Sequence, residues 1–322
     1  MAVSFPLMSA ISTLRRRRRA LVDGMRDGLT KATLSLFQYA PYPLENTLEH
    51  QGDPGLCGPG SVSWHVLADP AAFVGGVRGL LIQAAHPEVV AGVADHSRYR
   101  ADPLGRLSRT SAYVTATTFG AMPEVETAVA NVTRIHRVVN GVSSRGKPYD
   151  AADPGFSAWV HNVLTDSFLS AHQNYGAVRL TEDEADRFVE EQRRVGALLG
   201  ADPMPETASD LASWVAEHPE IDGSPSMEEV VDFLTHPPLP PAIRVGYSAL
   251  WEAAIAIVPS RVRMVLGVTP RPGAEAIGQV AVASLRWALG YSPSWALALR
   301  RTGMDIPDGL FRRRIDLEAI AS

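Results

Sequence analysis

Four of the chain's nine histidines fall in one stretch from Gly76 to His161, and three of them, His86, His136 and His161, stand out there together with the cluster Arg106-Leu107-Ser108-Arg109-Thr110. Each histidine lies in a segment that reads as helix among apolar residues. A neutral imidazole between apolar helices is a suitable iron ligand, with its second nitrogen held by a carbonyl or carboxylate. The same imidazole also serves as a hydrogen-bonded core residue, and both readings stand for each of the three. Arg106 and Thr110 are four apart and share a helix face, with Arg109 beside Arg106. Arginines at a helix start oppose the helix dipole, so backbone electrostatics does not explain them. They suit the carboxylates of a cofactor or substrate, or a surface pairing with Asp102.

Other chemistries lack their residues. No histidine has Glu three positions before it, as a ferritin-like dimetal site requires, and His-Glu-x-x-His is absent. Asp95-His96 is the reverse of the His-Asp pair of helical metal phosphohydrolases. There is no Gly-x-Ser-x-Gly elbow, no P-loop and no Gly-x-Gly-x-x-Gly after a strand. Without Cys-x-x-Cys-His, any haem would be held non-covalently.

The elements that must position these residues read as helices. Apolar residues recur at helical spacing from Ala71 to Ala84, and His86-Pro87 interrupts them before a second run over 88–97. Asp102-Pro103 opens a helix that carries the arginine cluster and ends at Gly120. Pro123 starts another to about Val139, where Val125, Val129, Val132 and His136 form one stripe and Asn140-Gly141 stops it. Asp153-Pro154 caps the helix of His161, and Thr181-Glu182-Asp183-Glu184 is a capping box for the next. Helical patterns continue over 207–216, 227–234, 242–266 with a break at Pro259, 274–289 and 294–301. No alternating strand pattern and no repeat stands out. The fold class is all-α, a single multi-helix domain over 41–322 behind a basic extension, 1–40.

Composition bounds the rest. The 322 residues suffice for a sizeable core, and 46% hydrophobic with 20% charged is that of a soluble globular protein. A net charge of −5 argues against a nucleic-acid binder. The single cysteine, Cys57, suits a cytoplasmic location. The five arginines Arg15–Arg19 are followed by Asp23, Arg26, Asp27 and Lys31, which interrupt the apolar stretch a secretion signal needs. The run is compatible with a solvated helix face or with peripheral contact to anionic lipid head groups.

The order of motifs resembles the catalytic domain of the MpaB and rubber oxygenase (latex clearing protein) family. The residues that carry it are Gly76 through Gln83 to His86-Pro87, then Gly92 to His96-Ser97, Arg106 to Arg109-Thr110, and His136 to Gly141. Tyr149 to Asp153-Pro154 leads on to Trp159-Val160-His161, followed by Gly196 to Gly200 and Pro205-Glu206-Thr207. The resemblance spans about residues 50–260.

It implies a globin-like, all-helical core binding haem b, with a histidine on the iron, that uses dioxygen on an apolar or amphipathic small molecule. The family's Arg-x-x-Lys-Thr pattern maps onto Arg106, Arg109 and Thr110. The downstream histidine maps onto His136 as iron ligand, with His161 as the second choice and His86 as a further pocket candidate. Arg109 replaces the family's lysine, and a guanidinium is a poor iron ligand, so lysine-type capping is not expected. A different class remains beside this one: a non-catalytic helical binding protein for an apolar ligand, with the histidines satisfied inside the core.

Overall fold

The computed structural model describes residues 5–311, with side chains from Arg16 onward other than Ala242. In chain order the helices are α1 (Phe5–Leu34), α2 (Val62–Ala68), α3 (Ala71–Ala84), α4 (Pro87–His96), α5 (Pro103–Phe119) and α6 (Met122–His136). A two-stranded hairpin, β1 (Asn140–Val142) and β2 (Pro148–Asp150), follows. Then come α7 (Pro154–Tyr175), α8 (Glu182–Ala197), α9 (Ala208–Glu217) and α10 (Pro225–Thr235). The set ends with α11 (Pro241–Ala256), α12 (Ser260–Leu266), α13 (Ala274–Leu289) and α14 (Pro293–Arg301). The fold is all-α, as the periodicity predicts.

Local chemistry sets most starts. The Asp102 carboxylate accepts from Gly105 N, Asp153 from Gly155 N, and Ser224 from Met227 N, each just before a proline in the first helical turn. Thr181 and Glu184 close the capping box of α8. The break at Pro259 separates α11 from α12. The hairpin is a departure from the sequence reading. Gly141 pairs with Tyr149 in an antiparallel register, and α6 stops at His136, three residues short of the predicted end. Val139 then turns inward as its carbonyl accepts from Ala151 N. Strands of three residues are too short to show an alternation.

The core is built on α3 against α7. Two glycines let these helices approach: a Cβ on Gly75 would lie 2.7 Å from Phe168 Cδ1, and one on Gly79 2.9 Å from Leu164 Cδ2. Arg78 reaches across to Asp166 at 2.7 Å and donates to Ser167 Oγ, all buried. The other side of α3 differs. A Cβ on Gly76 would meet nothing within 4 Å, and Phe73, Val77 and Leu80 are only half-buried. Helices α11 and α10 pack on α3, α8 and α9 on α7, and α13 on α11.

Helices α5 and α6 form a hairpin that is clamped at its joint. Arg301, fully buried at the end of α14, donates to the carbonyls of Phe119, Gly120 and Asp53 and to Thr47 Oγ1. Gly55, with φ +65°, lies so close to the same joint that a Cβ would collide with Gly120 O. Away from this clamp, α6 has one extensive helix neighbour, α5, and one fully buried residue, Val125.

Candidate cofactor site

The free end of this hairpin carries His136 and the arginine cluster, while His161 and His86 lie on other elements. His136 occupies the last turn of α6 and lines a cavity of about 200 Å³ with Thr133, Arg137, Ala151, Ala152, Leu198 and Leu199. Among the described residues its imidazole has no hydrogen-bond or ion-pair partner. Burial lowers its pKa, so it is neutral at pH 7. Val129 and Val132, on the same stripe, are half-buried like His136, so this part of the stripe is only partly covered, whereas Val125 is fully buried.

On α5, Arg106 is half-buried and donates to Ser97 Oγ at 2.8 Å, with its guanidinium 6.0 Å from the Tyr99 ring. It has no carboxylate partner among the described residues. Desolvation lowers its pKa, though a guanidinium stays protonated. Arg109 behaves differently: its side chain is 54% exposed and 3.2 Å from Asp102 Oδ2. Thr110 is exposed beside it. The cluster therefore splits into one inward arginine and an outward pair.

His161 sits in the second turn of α7 with its ring against α8. Its Nε2 is 3.4 Å from Thr165 Oγ1, and a Cβ on Gly196 would lie 2.6 Å from its Cδ2. Gly196 is thus the residue that makes room for the ring. Burial pushes the imidazole down to about 4, partly opposed by the Gln192 backbone. His136 and His161 both approach the C-terminal end of α8, through Leu198 and Leu199 for the first and Gly196 for the second.

His86 lies elsewhere, in an aromatic cluster. Its ring is 5.4 Å from Phe156, 5.6 Å from Trp159 and 5.8 Å from His218, and its Nδ1 is 3.5 Å from Glu88 Oε2. Burial pushes its pKa down to about 4. It is the N-cap residue of α4, just before Pro87 and two residues after the end of α3, so its place is the junction between these helices. No hydrogen bond or ring contact joins His86, His136, His161 and the arginine cluster to one another among the described residues.

Sequence reading missed Ser97 and Tyr99 as partners of Arg106, and Leu198 and Leu199 as the wall opposite His136. Leu198 and Leu199 lie at the end of a strongly amphipathic helix, where two adjacent leucines outside the stripe were the available signal. Among the described residues no group of three or more His, Cys, Asp or Glu side chains could hold a metal ion. A metal held by one imidazole and an organic ring needs no such group.

The chain matches the family model described as ER-bound oxygenase mpaB/B'/Rubber oxygenase, catalytic domain, over residues 64–287. It belongs to that family. The match runs from α2 through most of α13, so it includes the α3–α7 core, the α5–α6 hairpin and the α8 terminus, and reaches beyond residue 260. It makes this chain an oxygenase catalytic domain. No curated protein and no solved structure matches the chain. No single helix is long and apolar enough to cross a membrane among the described residues.

Proposed function

We propose that this oxygenase domain binds haem b at the open end of the α5–α6 hairpin and acts with dioxygen on an apolar or amphipathic small molecule. The observation that carries this reading is His136: neutral, without a partner among the described residues, and facing a cavity on a helix whose apolar stripe is only partly covered. The donor chemistry fits the group. His136 is the iron ligand, and Arg106, half-buried and without a carboxylate partner among the described residues, suits a propionate. A tetrapyrrole needs more room than 200 Å³, and α6, anchored mainly through α5 and the clamped joint, is the element free to move outward.

When bound, haem iron supplies the activation of dioxygen; the protein sets the ligand, polarity and access. The half-buried faces of α3 and α5, with Val77, Leu80, Leu107 and Val114, exclude water and hold the apolar part of the substrate. Arg106 holds negative charge at its guanidinium, and Arg109 and Thr110 form the polar edge on the α5 side. His161 backs the site from α7 and is the alternative ligand. His86 belongs to the supporting shell through its packing on Trp159. A cytoplasmic location with contact to a lipid surface through Arg15–Arg19 fits an apolar substrate.

The test is an absorption spectrum of protein produced with ample haem, oxidised and reduced. A Soret band that His136→Ala abolishes, with helical content intact, supports the reading. Absence of any Soret band in the wild type overturns it. A band lost with His161→Ala and kept with His136→Ala transfers the ligand to α7.

A further inference from the structure

Helix α1 lies outside the matched region and has two unlike halves. From Val22 to Thr33 one side is seated: Thr30 Oγ1 lies 3.4 Å from Ala288 O, and the Arg26 guanidinium is 4.6 Å from the Trp287 ring on α13. From Arg16 to Ala20 every residue is exposed. The arginines there have no hydrogen bond or ion pair among the described residues.

The helical period sorts the remaining positions. Val22, Arg26, Leu29, Thr30 and Thr33 make the seated side. Leu21 and Met25, i and i+4, share another face and are 66% and 62% exposed. The same 100° step puts Arg17 and Arg18 on the two flanks of that face, Asp23 and Asp27 with Arg16 between them on the far side, and Arg19 above the seated side. Apolar residues at the centre, cations at the edges and acids turned away is the pattern of a helix lying in a bilayer interface. Exposed apolar residues occur elsewhere on the surface, but here two share a face with arginines on both flanks. The chain's net charge of −5 makes this local concentration of positive charge the more distinct.

The other end of α1 runs into the wall of the candidate site. The turn at Ser35–Phe37 packs on α5, where Ser108 Oγ donates to Leu36 O and accepts from Tyr39 N. Ser108 lies between Arg106 and Arg109. Along this edge Leu34 and Tyr39 are also exposed, at 49% and 54%.

We propose that the α1 face formed by Arg17, Arg18, Leu21 and Met25 seats on the head-group region of a negatively charged bilayer. The arginines meet the lipid anions, and Leu21 and Met25 enter the acyl boundary. This seating stands on α1 alone and does not depend on the haem reading. Its consequence for catalysis, that the bilayer supplies an apolar substrate to the α5 side, does rest on that reading.

The experiment is co-sedimentation of the full chain, with or without haem, with vesicles of phosphatidylcholine alone or mixed with phosphatidylserine. The expected result is binding to the mixed vesicles that weakens with salt. Arg17→Gln combined with Arg18→Gln should reduce it roughly tenfold or more. Leu21→Ser with Met25→Ser should also reduce it while leaving the salt dependence. Circular dichroism and the melting temperature should be unchanged, since none of these side chains is packed. Equal binding to both vesicle types, binding to neither, or displacement of the vesicles by an RNA homopolymer would each overturn the proposal. None of these readouts involves haem, so its failure and the failure of the haem reading are separable.

Discussion

The α3–α7 pair and the α5–α6 hairpin are both built from helices with apolar stripes, yet they end in opposite states. In the first, glycines bring the backbones together, and the charge of Arg78 is paired inside with Asp166 and Ser167, while His172 on α7 is buried against the His65 ring with no hydrogen bond to either ring nitrogen among the described residues. In the second, the joint is fastened by Arg301, while the far end keeps half-buried valines and, among the described residues, a histidine without a partner and an arginine bonded to Ser97 but to no carboxylate. A buried polar group that folding needs is normally satisfied by the protein. His136 is only half-buried and lines a cavity, so a ligand that enters there can supply its partner. On the proposed reading, the pair carries structural chemistry and the hairpin carries the ligand.

The comparison is broken most directly at Arg78. Arg78→Ala should destabilise the fold by about 3–5 kcal/mol, because Asp166 is left buried and unpaired. Urea denaturation checks this. His136→Ala, by contrast, should shift stability by less than about 1 kcal/mol, since it removes a half-buried ring that bonds to nothing. If the two variants lost similar stability, the division between the regions would fall.

The next effect is on pH. His86 is buried, and desolvation holds its folded pKa near 4 against 6.5 for the free side chain. The unfolded chain then binds the extra proton, so stability is fully present above about pH 6.5 and declines as pH falls toward 4. A shift of that size corresponds to at most about 3 kcal/mol. Glu88 and the Arg145 network beside it modulate the charge at this site. Denaturation midpoints at pH 7.5, 5.5 and 4.5 (roughly spanning the window) should fall in sequence for the wild type. They should fall less steeply in His86→Asn, with His161, also held near 4 by burial, supplying part of the remaining slope. An unchanged slope in the variant would place the acid sensitivity elsewhere.

How much of this was legible follows the range of the interactions. Helix starts at Asp102-Pro103, Asp153-Pro154 and Thr181–Glu184 are local chemistry and read directly from the chain. The stripe Val125, Val129, Val132 and His136 was also legible as a pattern. Its incomplete burial was not, because burial depends on what lies opposite, and periodicity carries no information about that. Arg301 is the extreme case. An arginine at a helix C-terminus reads as surface, and only the convergence of Thr47, Asp53, Phe119 and Gly120 from distant segments makes it core. His86 was legible as a junction from Pro87, but its neighbours Trp159 and His218 come from 73 and 132 residues further along the chain.

A smaller effect concerns mobility. Haem loading should slow amide exchange in the last turns of α6 and in the segment 137–152, and leave α3 and α7 as they are. A ligand that binds only the folded state protects the elements it fastens. Uniform protection across both regions would mean that the hairpin is not the moving part.

The smallest structural change is at Arg109. The side chain is half in water and its partner Asp102 is exposed too, so Arg109→Ala should alter stability by no more than about 0.5 kcal/mol. Arg109→Lys should be as mild for folding, but it restores the residue type that the family pattern has at this position. A lysine amine can lose its proton when desolvated and bind iron, whereas a guanidinium cannot. In the haem-loaded protein, Arg109→Lys is therefore expected to shift the Soret and visible bands toward those of a two-nitrogen ligand set, increasingly so as pH is raised. Wild-type protein should show no such pH-dependent change. An Arg109→Lys spectrum identical to wild type across the titration would mean that this turn of α5 does not face the iron. The role given to Arg109 at the polar edge would then pass to Arg106, which already points inward.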